Sequence, residues 1–485
     1  MDALLLAFEP GQHPTDELYH RAVEKHIQSV WKLFTENADA VVANAPQLLE
    51  IIHPTDHSIS HLAILNTIKR IDESKLPVSP DALREYILRF LLSFDQRQIR
   101  YVGEPFYDLV KDILACKYFP ARQAIEIIAI VLRRLDPDSA LLTSTHLAVV
   151  KLAYETENYD QVLPIIEKPW VFLPGMKNQT TPAYLCDMSA SPAAYITTST
   201  SLTELLNRDD VMKHEYLVAQ IFTAKQRWTD AHKTYQRIVI WPTRDGGVSK
   251  IAIECYRRWI LTGLLAHGQN PTQPSNINAV AVKAFNAESK PYADLAALFP
   301  TMNAEQFKAD AEKSAETWNG HQTTTLVKEV VKAYQKWQIL GLADVYHKIS
   351  VSEIREKTLS GETALPLEAD QEVEELLQDM IRDGMLQGVL ETTSDGTKYL
   401  TYLPREEEIE YTEYQRKIKD DVRIKTINKW ASASDARLAA SKDYAKHIIR
   451  EQKRQDKDGG QSQSADYGFE ASVDEEDLMT GIQHP

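Results

Sequence analysis

Residues 371–404 read QEVEELLQDMIRDGMLQGVLETTSDGTKYLTYLP, and the switch between two periods in this stretch decides the fold. From Gln371 to Asp383 the apolar residues Val373, Leu376, Leu377, Met380 and Ile381 share one helical face, and Gly384 follows where a left-handed cap is wanted. Then Val389-Leu390-Glu391 and Tyr399-Leu400-Thr401-Tyr402 flank Thr392-Thr393-Ser394-Asp395-Gly396, and Asp-Gly between strand-like runs predicts a hairpin turn. Back to Thr324 the pattern gives two more helices, with Ser360 to Asp370 as a Gly- and Pro-containing loop before the third. Three helices and a two-stranded wing over 324–404 make a winged helix, a shape often used to read DNA. Here the helix that would enter a groove carries Glu372, Glu374, Glu375, Asp379 and Asp383 against a single Arg382. Such a surface repels phosphate, so shape and charge point in opposite directions.

The charge of the whole chain agrees with that helix. A formal net charge of −16 over 485 residues disfavours non-specific binding to nucleic acid or anionic membranes. The length allows roughly two to four domains. Glycine is scarce, at 17, which favours helix because each interior Gly costs about 1 kcal/mol relative to Ala. Cys116, Cys186 and Cys255 are far apart and odd in number, which suits a reducing compartment better than a disulfide framework or a zinc site. Leu4-Leu5-Leu6 runs into Glu9-Pro10 without a basic leader, and no apolar run nears the roughly 20 residues of a spanning helix. The expectation is a soluble intracellular protein.

Residues 1–258 read as one helical-repeat region, with a helical period almost throughout from about Tyr19 to Arg258. Val23, Ile27, Val30 and Trp31 line one face, Leu83, Ile87, Phe90 and Leu91 a second, and Ala124, Ile127, Ile128, Val131 and Leu135 a third. Pro54, Pro80, Pro105, Pro120 and Pro137 punctuate short, paired segments, so stacked helical hairpins are expected. Two pairs resemble degenerate tetratricopeptide units. One has Ala219 and Phe222 on its first helix, Trp228 at the turn, and Ala231, Tyr235 and Ile238 on the second, with Pro242 after it. The other runs His146, Val149, Val150, Ala153, then Tyr159, Val162, Ile166 and Pro169, with Tyr159 and Trp228 about two 34-residue repeats apart. An ordinary antiparallel helix pair with aromatic packing is the alternative. Lys168 to Ser201, rich in Pro, Thr and Ser, reads as a long surface excursion, and Gln269 to Ser275 as a loop.

The region 259–404, which ends with the winged helix, is followed by a polar helical stretch, 405–455. There Ile427, Ala431, Ser434, Leu438, Ser441, Ala445 and Ile448 alternate spacings of four and three, a thin heptad seam. So narrow a stripe holds an isolated helix poorly, which predicts docking against partner helices; a solvated tail helix is the alternative. Residues 456–485 are Gly-, Ser- and acid-rich, end with Asp474-Glu475-Glu476-Asp477 before the last few residues, and read as a disordered tail.

Chemistry is thin. His53, His57 and His61 repeat every four residues, but Pro54 suggests a helix starting later, near Asp56 or Ser58, with exposed histidines rather than a metal set. No Walker loop, dinucleotide glycine pattern, Gly-x-Ser-x-Gly elbow or His-Glu-x-x-His helix is present, so no catalytic residue, cofactor or metal site is nominated. Arg133-Arg134 and Arg257-Arg258 are isolated basic pairs. Arg416-Lys417-Ile418-Lys419 runs straight into Asp420-Asp421, as on a solvated helix with internal ion pairs.

Helical-hairpin repeats leading into an acidic winged helix resemble the PCI domain, the scaffold module shared by the proteasome lid, the COP-nine signalosome and translation initiation factor three. Gln98-Ile99-Arg100-Tyr101, Leu142-Thr143-Ser144-Thr145-His146-Leu147, Asp56-His57-Ser58-Ile59 with Leu62-Ala63-Ile64-Leu65, and Met380-Ile381-Arg382-Asp383-Gly384 are similar to the subunit-three branch of the signalosome, over roughly residues 20–430. The resemblance implies a mainly α protein: a tetratricopeptide-like solenoid, a winged-helix PCI subdomain and a C-terminal bundle helix. It implies a non-catalytic scaffold of the nucleus and cytoplasm, supporting removal of a ubiquitin-like modifier from cullin-RING ligases, with a lid scaffold as the alternative. It also implies partner contacts through the wing, at Val389, Leu390, Tyr399, Leu400 and Tyr402, and through the seam at Ile427, Ala431, Leu438, Ala445 and Ile448. A winged-helix DNA binder and an unrecognised enzyme are the competing readings.

Overall fold

The computed structural model describes residues 1–71, 76–174, 182–242, 247–301, 303–393, 396–403, 411–439 and 444–450. The chain divides into two units, 1–427 and 428–485. In the first, a single turn α1 (Asp2–Leu5) precedes α2 (Asp16–Glu36), α3 (Ala38–Ile51), α4 (Ser58–Ile68), α5 (Pro80–Ser93), the one-turn α6 (Gln96–Ile99), α7 (Gly103–Leu114) and α8 (Ala121–Leu135). Two helical hairpins follow: α9 (Ser144–Glu155) with α10 (Tyr159–Ile166), then, after the short α11 (Pro192–Tyr195), α12 (Arg208–Ala224) with α13 (Trp228–Val239). The long α14 (Lys250–His267) packs on α13, and the expected boundary at 258/259 falls in its middle. Four short helices, α15 (Ala279–Glu288), α16 (Lys290–Leu298), α17 (Ala304–Lys313) and α18 (Ala315–Gly320), lead to α19 (Thr324–Leu342).

The expected repeat faces are buried. Ala219, Phe222, Ala231, Tyr235 and Ile238 are all under 4% exposed, so the two alanines let α12 and α13 approach while the rings fill the space beside them. The hairpins share a turn. Cys116, Glu157, Gln226 and Gln322 each sit at positive φ, between 53° and 57°. After each, a backbone N–H reaches five residues back: Lys117 to Asp112, Asn158 to Ala153, Arg227 to Phe222, Thr323 to Trp318. This is the Schellman closure, made here without glycine. Its recurrence before Tyr159, Trp228 and Thr324 marks one turn geometry used repeatedly.

One predicted face needs correction. Val23 and Val30 are buried and Ile27 half-buried, but Trp31 is 69% exposed. A position next to the buried stripe turns about 100° away from it, and among the described residues no later segment covers that side.

The winged helix has a core of its own. Ile339, Ile349, Ile354, Val373, Leu377, Met380, Leu386 and Leu400 form a cluster separate from the repeat core, which extends to Tyr334. Its elements are α19, strand β1 (Lys348–Ser350), α20 (Val351–Lys357), α21 (Asp370–Arg382), β2 (Gly388–Thr392) and β3 (Lys398–Tyr402). Ser350 and Glu353 form a reciprocal capping box at α20. Gly384, at φ +71°, ends α21 as expected, and Gly396, at φ +85°, lies in the hairpin turn. The expected two-stranded wing is a three-stranded sheet in the order β1-β3-β2, all antiparallel. β1 has only three residues, too few for a period to show.

The last helix, α22 (Tyr411–Ala439), begins in the first unit. In the second unit the described residues are the rest of α22 and a helical segment at 444–450; residues 456–485, read as a tail, lie outside the described residues.

Candidate interaction surfaces

The register shows which backbone groups of the wing are free. Leu403 N–H bonds Gln387 O and Thr393 N–H bonds Thr397 O, so pairs 387/403 and 393/397 are hydrogen-bonded. With Val389 opposite Thr401 and Glu391 opposite Tyr399, those two are the intervening hydrogen-bonded pairs. Gly388, Leu390 and Thr392 therefore direct their N–H and C=O groups away from β3, along an edge that no strand pairs among the described residues. On the other side Tyr402 N–H bonds His347 O, which occupies the even residues of β3 with β1. β3 is thus the central strand.

That order changes the standing of the expected wing residues. Leu400 is fully buried, and Tyr402 is 6% exposed with its hydroxyl donating to Ile339 O at 2.9 Å. Burial pushes the Tyr402 phenol up to about 12. Both belong to the wing's own core and are not edge contacts. Tyr399 is half-buried, with the Lys348 ammonium 5.2 Å from its ring centre. On β2, Leu390 packs partly against the core and Val389 is 45% exposed.

The sequence motifs at 56–59, 98–101 and 142–147 meet around the segment expected to be a surface excursion. That segment is not superficial: Cys186, Tyr195, Ile196 and Leu202 are buried, and residues 175–181 lie outside the described residues. Gln98 bridges the first two motifs, donating from Nε2 to Asp56 O at 2.7 Å and accepting from Ile59 N at 3.2 Å. Arg100, 2% exposed, donates from Nη1 to Leu185 O and Asp187 O at 2.9 and 2.7 Å, with its guanidinium 3.5 Å from the Tyr195 ring centre. Arg97 donates to Cys186 O and pairs with Asp16. At the far end Ser144 Oγ accepts from Glu204 N at 3.0 Å, and Ser144 N donates to Thr203 Oγ1 at 3.1 Å. Residues 182–205 form a strap latched at both ends. Gly103 sits under it, where an added Cβ would lie 1.9 Å from Thr200 O.

The histidine triplet also differs from expectation. Ser58 opens α4 and His53 is exposed, but His61 is fully buried, its ring stacked 5.6 Å from Phe90. Burial lowers its pKa to about 3. Neither ring nitrogen has a hydrogen-bond partner among the described residues. The basic pairs are spent internally: Arg134 donates to Phe94 O, Arg257 to Glu288 O, and Arg258 pairs with Glu254.

Arg423 ties the C-terminal helix to its own chain. Arg423 donates to Asp138 O at 2.5 Å, Ser139 O at 3.2 Å and Pro169 O at 2.9 Å. Ile427, the first seam residue, is 6% exposed and is taken up within the first unit. In the second unit Ala431 and Ile448 are half-buried and Ala445 exposed; the Leu438 side chain lies outside the described residues. The large apolar residues that α22 shows to solvent, among the described residues, are others: Tyr414, Ile418 and Val422, 48–60% exposed and four residues apart, and Ile424, 51% exposed. The first three share a face, and the heptad reading passed over them.

Paired helices, a terminal acidic winged helix and open sheet edges define a helical-repeat protein whose distinctive features are surfaces. Comparison with known proteins makes this specific. Residues 23–184 match the family model described as COP9 signalosome complex subunit 3, N-terminal helical repeats. The chain is 36% identical over 499 residues to COP9 signalosome complex subunit 3 of Neurospora crassa, covering 99% of each chain. It is 25% identical to the Emericella nidulans protein of that name, over 84% of this chain and 83% of the relative. The Arabidopsis thaliana protein is 22% identical, over 84% and 85%. The chain belongs to the COP9 signalosome complex subunit 3 family.

Proposed function

We propose that this chain is a non-catalytic scaffold subunit of the COP9 signalosome, assembling with its other subunits in the cytoplasm and nucleus. In that role it supports removal of the ubiquitin-like modifier from cullin-RING ubiquitin ligases. Similarity to proteins named COP9 signalosome complex subunit 3, over 99% of this chain in one case and 84% in another, supports the complex. The observation that carries the scaffold role is the outer edge of β2, where Gly388, Leu390 and Thr392 leave strand-pairing groups open beside an exposed Val389. Such an edge is a template for strand addition by a neighbour. The Tyr414, Ile418 and Val422 stripe of α22 is a second contact, suited to helix packing.

The acidic α21 argues against DNA as the partner. Of the six carboxylates from Asp370 to Asp383, Asp379 and Asp383 pair with Arg382, Glu374 with Lys398 and Asp370 with Arg355, and Glu372 and Glu375 have no ion-pair partner among the described residues. Affinity purification of the tagged full chain with mass spectrometry tests the proposal. Co-recovery of a complete set of signalosome subunits, and no isopeptidase activity from the chain alone, is the expected result. Recovery of proteasome-lid subunits instead would overturn it.

A further inference from the structure

A cleft of about 1050 Å³ opens between the start of α13, the end of α14, α19 and α21. Nothing in the scaffold reading uses it. The acidic residues that disqualify α21 as a DNA reader lie on its rim: Glu372, Glu375, Asp379 and Asp383 succeed one another at spacings of three and four, a stripe on one face. At about 1.5 Å per residue the stripe is about 16 Å long. Seven carboxylates and three cations line the cleft, four net negative charges among 26 residues, against 16 in the 485 of the whole chain. Charge is therefore several times denser here than the average of an already acidic protein.

Some of this charge is answered inside the fold. Asp230 pairs with Arg227, Glu329 with Lys332, and Asp379 with Arg382. Glu362, Glu372 and Glu375 have no ion-pair partner among the described residues, and all three are exposed. The surroundings are not purely polar. Trp228, Trp337, Leu367, Leu376 and Met385 line the same cleft, each partly exposed. An aromatic and aliphatic floor beneath a negative rim fits a ligand with cations along one side and aliphatic groups along the other. It fits neither a nucleic acid nor an acidic peptide.

We propose that this cleft binds a short basic, amphipathic segment of a partner protein, about three helical turns long. Lys or Arg side chains pair with Glu372, Glu375 and Glu362, and leucine-type side chains lie over Trp337 and Leu376. The charge complementarity selects the occupant: among the described residues Lys336 is the one lining cation left without an ion pair, against three such carboxylates, so the cleft keeps a net demand for cations.

The test uses the purified full chain and a labelled 12-residue peptide with Lys at four helically spaced positions and Leu at two, followed by fluorescence anisotropy. Saturable binding is expected. Glu372→Gln with Glu375→Gln should weaken it about fivefold, since each removes one solvent-exposed ion pair of modest strength. The control Glu305→Gln with Glu316→Gln, exposed residues outside the cleft, should change it less than about twofold. Carbodiimide cross-linking should place peptide adducts on Glu372 or Glu375, and a Ser-for-Leu peptide should bind more weakly. No saturable binding, or equal weakening by the control pair, would overturn the proposal. Equal weakening would mean diffuse attraction to a chain of −16. Because the assay needs only the isolated chain, its failure leaves the scaffold reading standing.

Discussion

Two proline substitutions three residues apart should have opposite consequences if the β2 edge is the assembly contact. In Thr392→Pro the lost N–H points away from β3, so no ladder bond of the free chain is broken. Thr392 is exposed, and its winged-helix stability should change by less than about 1 kcal/mol. A neighbour adding a strand would lose one hydrogen bond, worth about 0.5–1.5 kcal/mol, and would meet the ring on the pairing edge. Association should fall about tenfold or more. In Val389→Pro the lost N–H is one that bonds Thr401, and the ring intrudes on the ladder, so the wing itself should lose about 3 kcal/mol. Thermal unfolding of the isolated chains separates the two, and recovery of partner subunits on the tagged chain reads assembly. A folded Thr392→Pro chain that recovers partners like the wild type would refute the edge-pairing reasoning. A Val389→Pro chain as stable as the wild type would refute the assigned ladder.

Three further outcomes follow from buried groups and the docked helix. Asp136 is 3% exposed, and burial raises its pKa from 3.8 to about 6, so its ionised form is disfavoured in the fold. The folded state then holds its proton longer: the contribution is fully present below pH 4 and is lost as pH rises through 6, leaving a penalty of about 3 kcal/mol above that. Asp136→Asn keeps an acceptor for Leu141 N, so denaturant titrations should show its advantage over the wild type growing from pH 4 to pH 7. His61 has the reverse sign. Its pKa is lowered by burial, so its contribution is present above pH 6.5 and falls by about 1.4 kcal/mol per pH unit as the solution is acidified. His61→Leu should match the wild type at pH 7.5 and exceed it in Tm at pH 5. Arg423→Ala removes three hydrogen bonds from a half-buried guanidinium and should weaken docking of the first part of α22 by about 1–3 kcal/mol, visible as faster hydrogen exchange across 414–427.

How far the fold was legible follows from the range of each signal. The helical pairs, the Gly384 cap, the hairpin and the acidic face of α21 were all readable, because each rests on residues within a few positions of one another. The short motifs at 56–59, 98–101 and 142–147 could be seen but not interpreted. Their hydrogen bonds reach residues 39 to 87 positions away, so no local pattern encodes them. The strap looked superficial for the same reason: its Pro, Ser and Thr content describes its lack of helix, whereas its burial is set by Arg97, Arg100 and Ser144.

For this protein, then, the sequence by itself determined the longer helices and the β2–β3 hairpin, the pairing of helices into hairpins and the charge that sets α21 against nucleic acid. Periodicity and composition are properties of adjacent residues and survive without a fold. Tertiary structure alone decided which elements face solvent. By adding the three-residue β1 it made β3 a central strand, sending Leu400 and Tyr402 into the core and leaving the edge to β2. By docking Arg423 it buried Ile427 one turn further on and left Tyr414, Ile418 and Val422 outward. Exposure depends on what other segments cover, and covering segments come from anywhere in the chain.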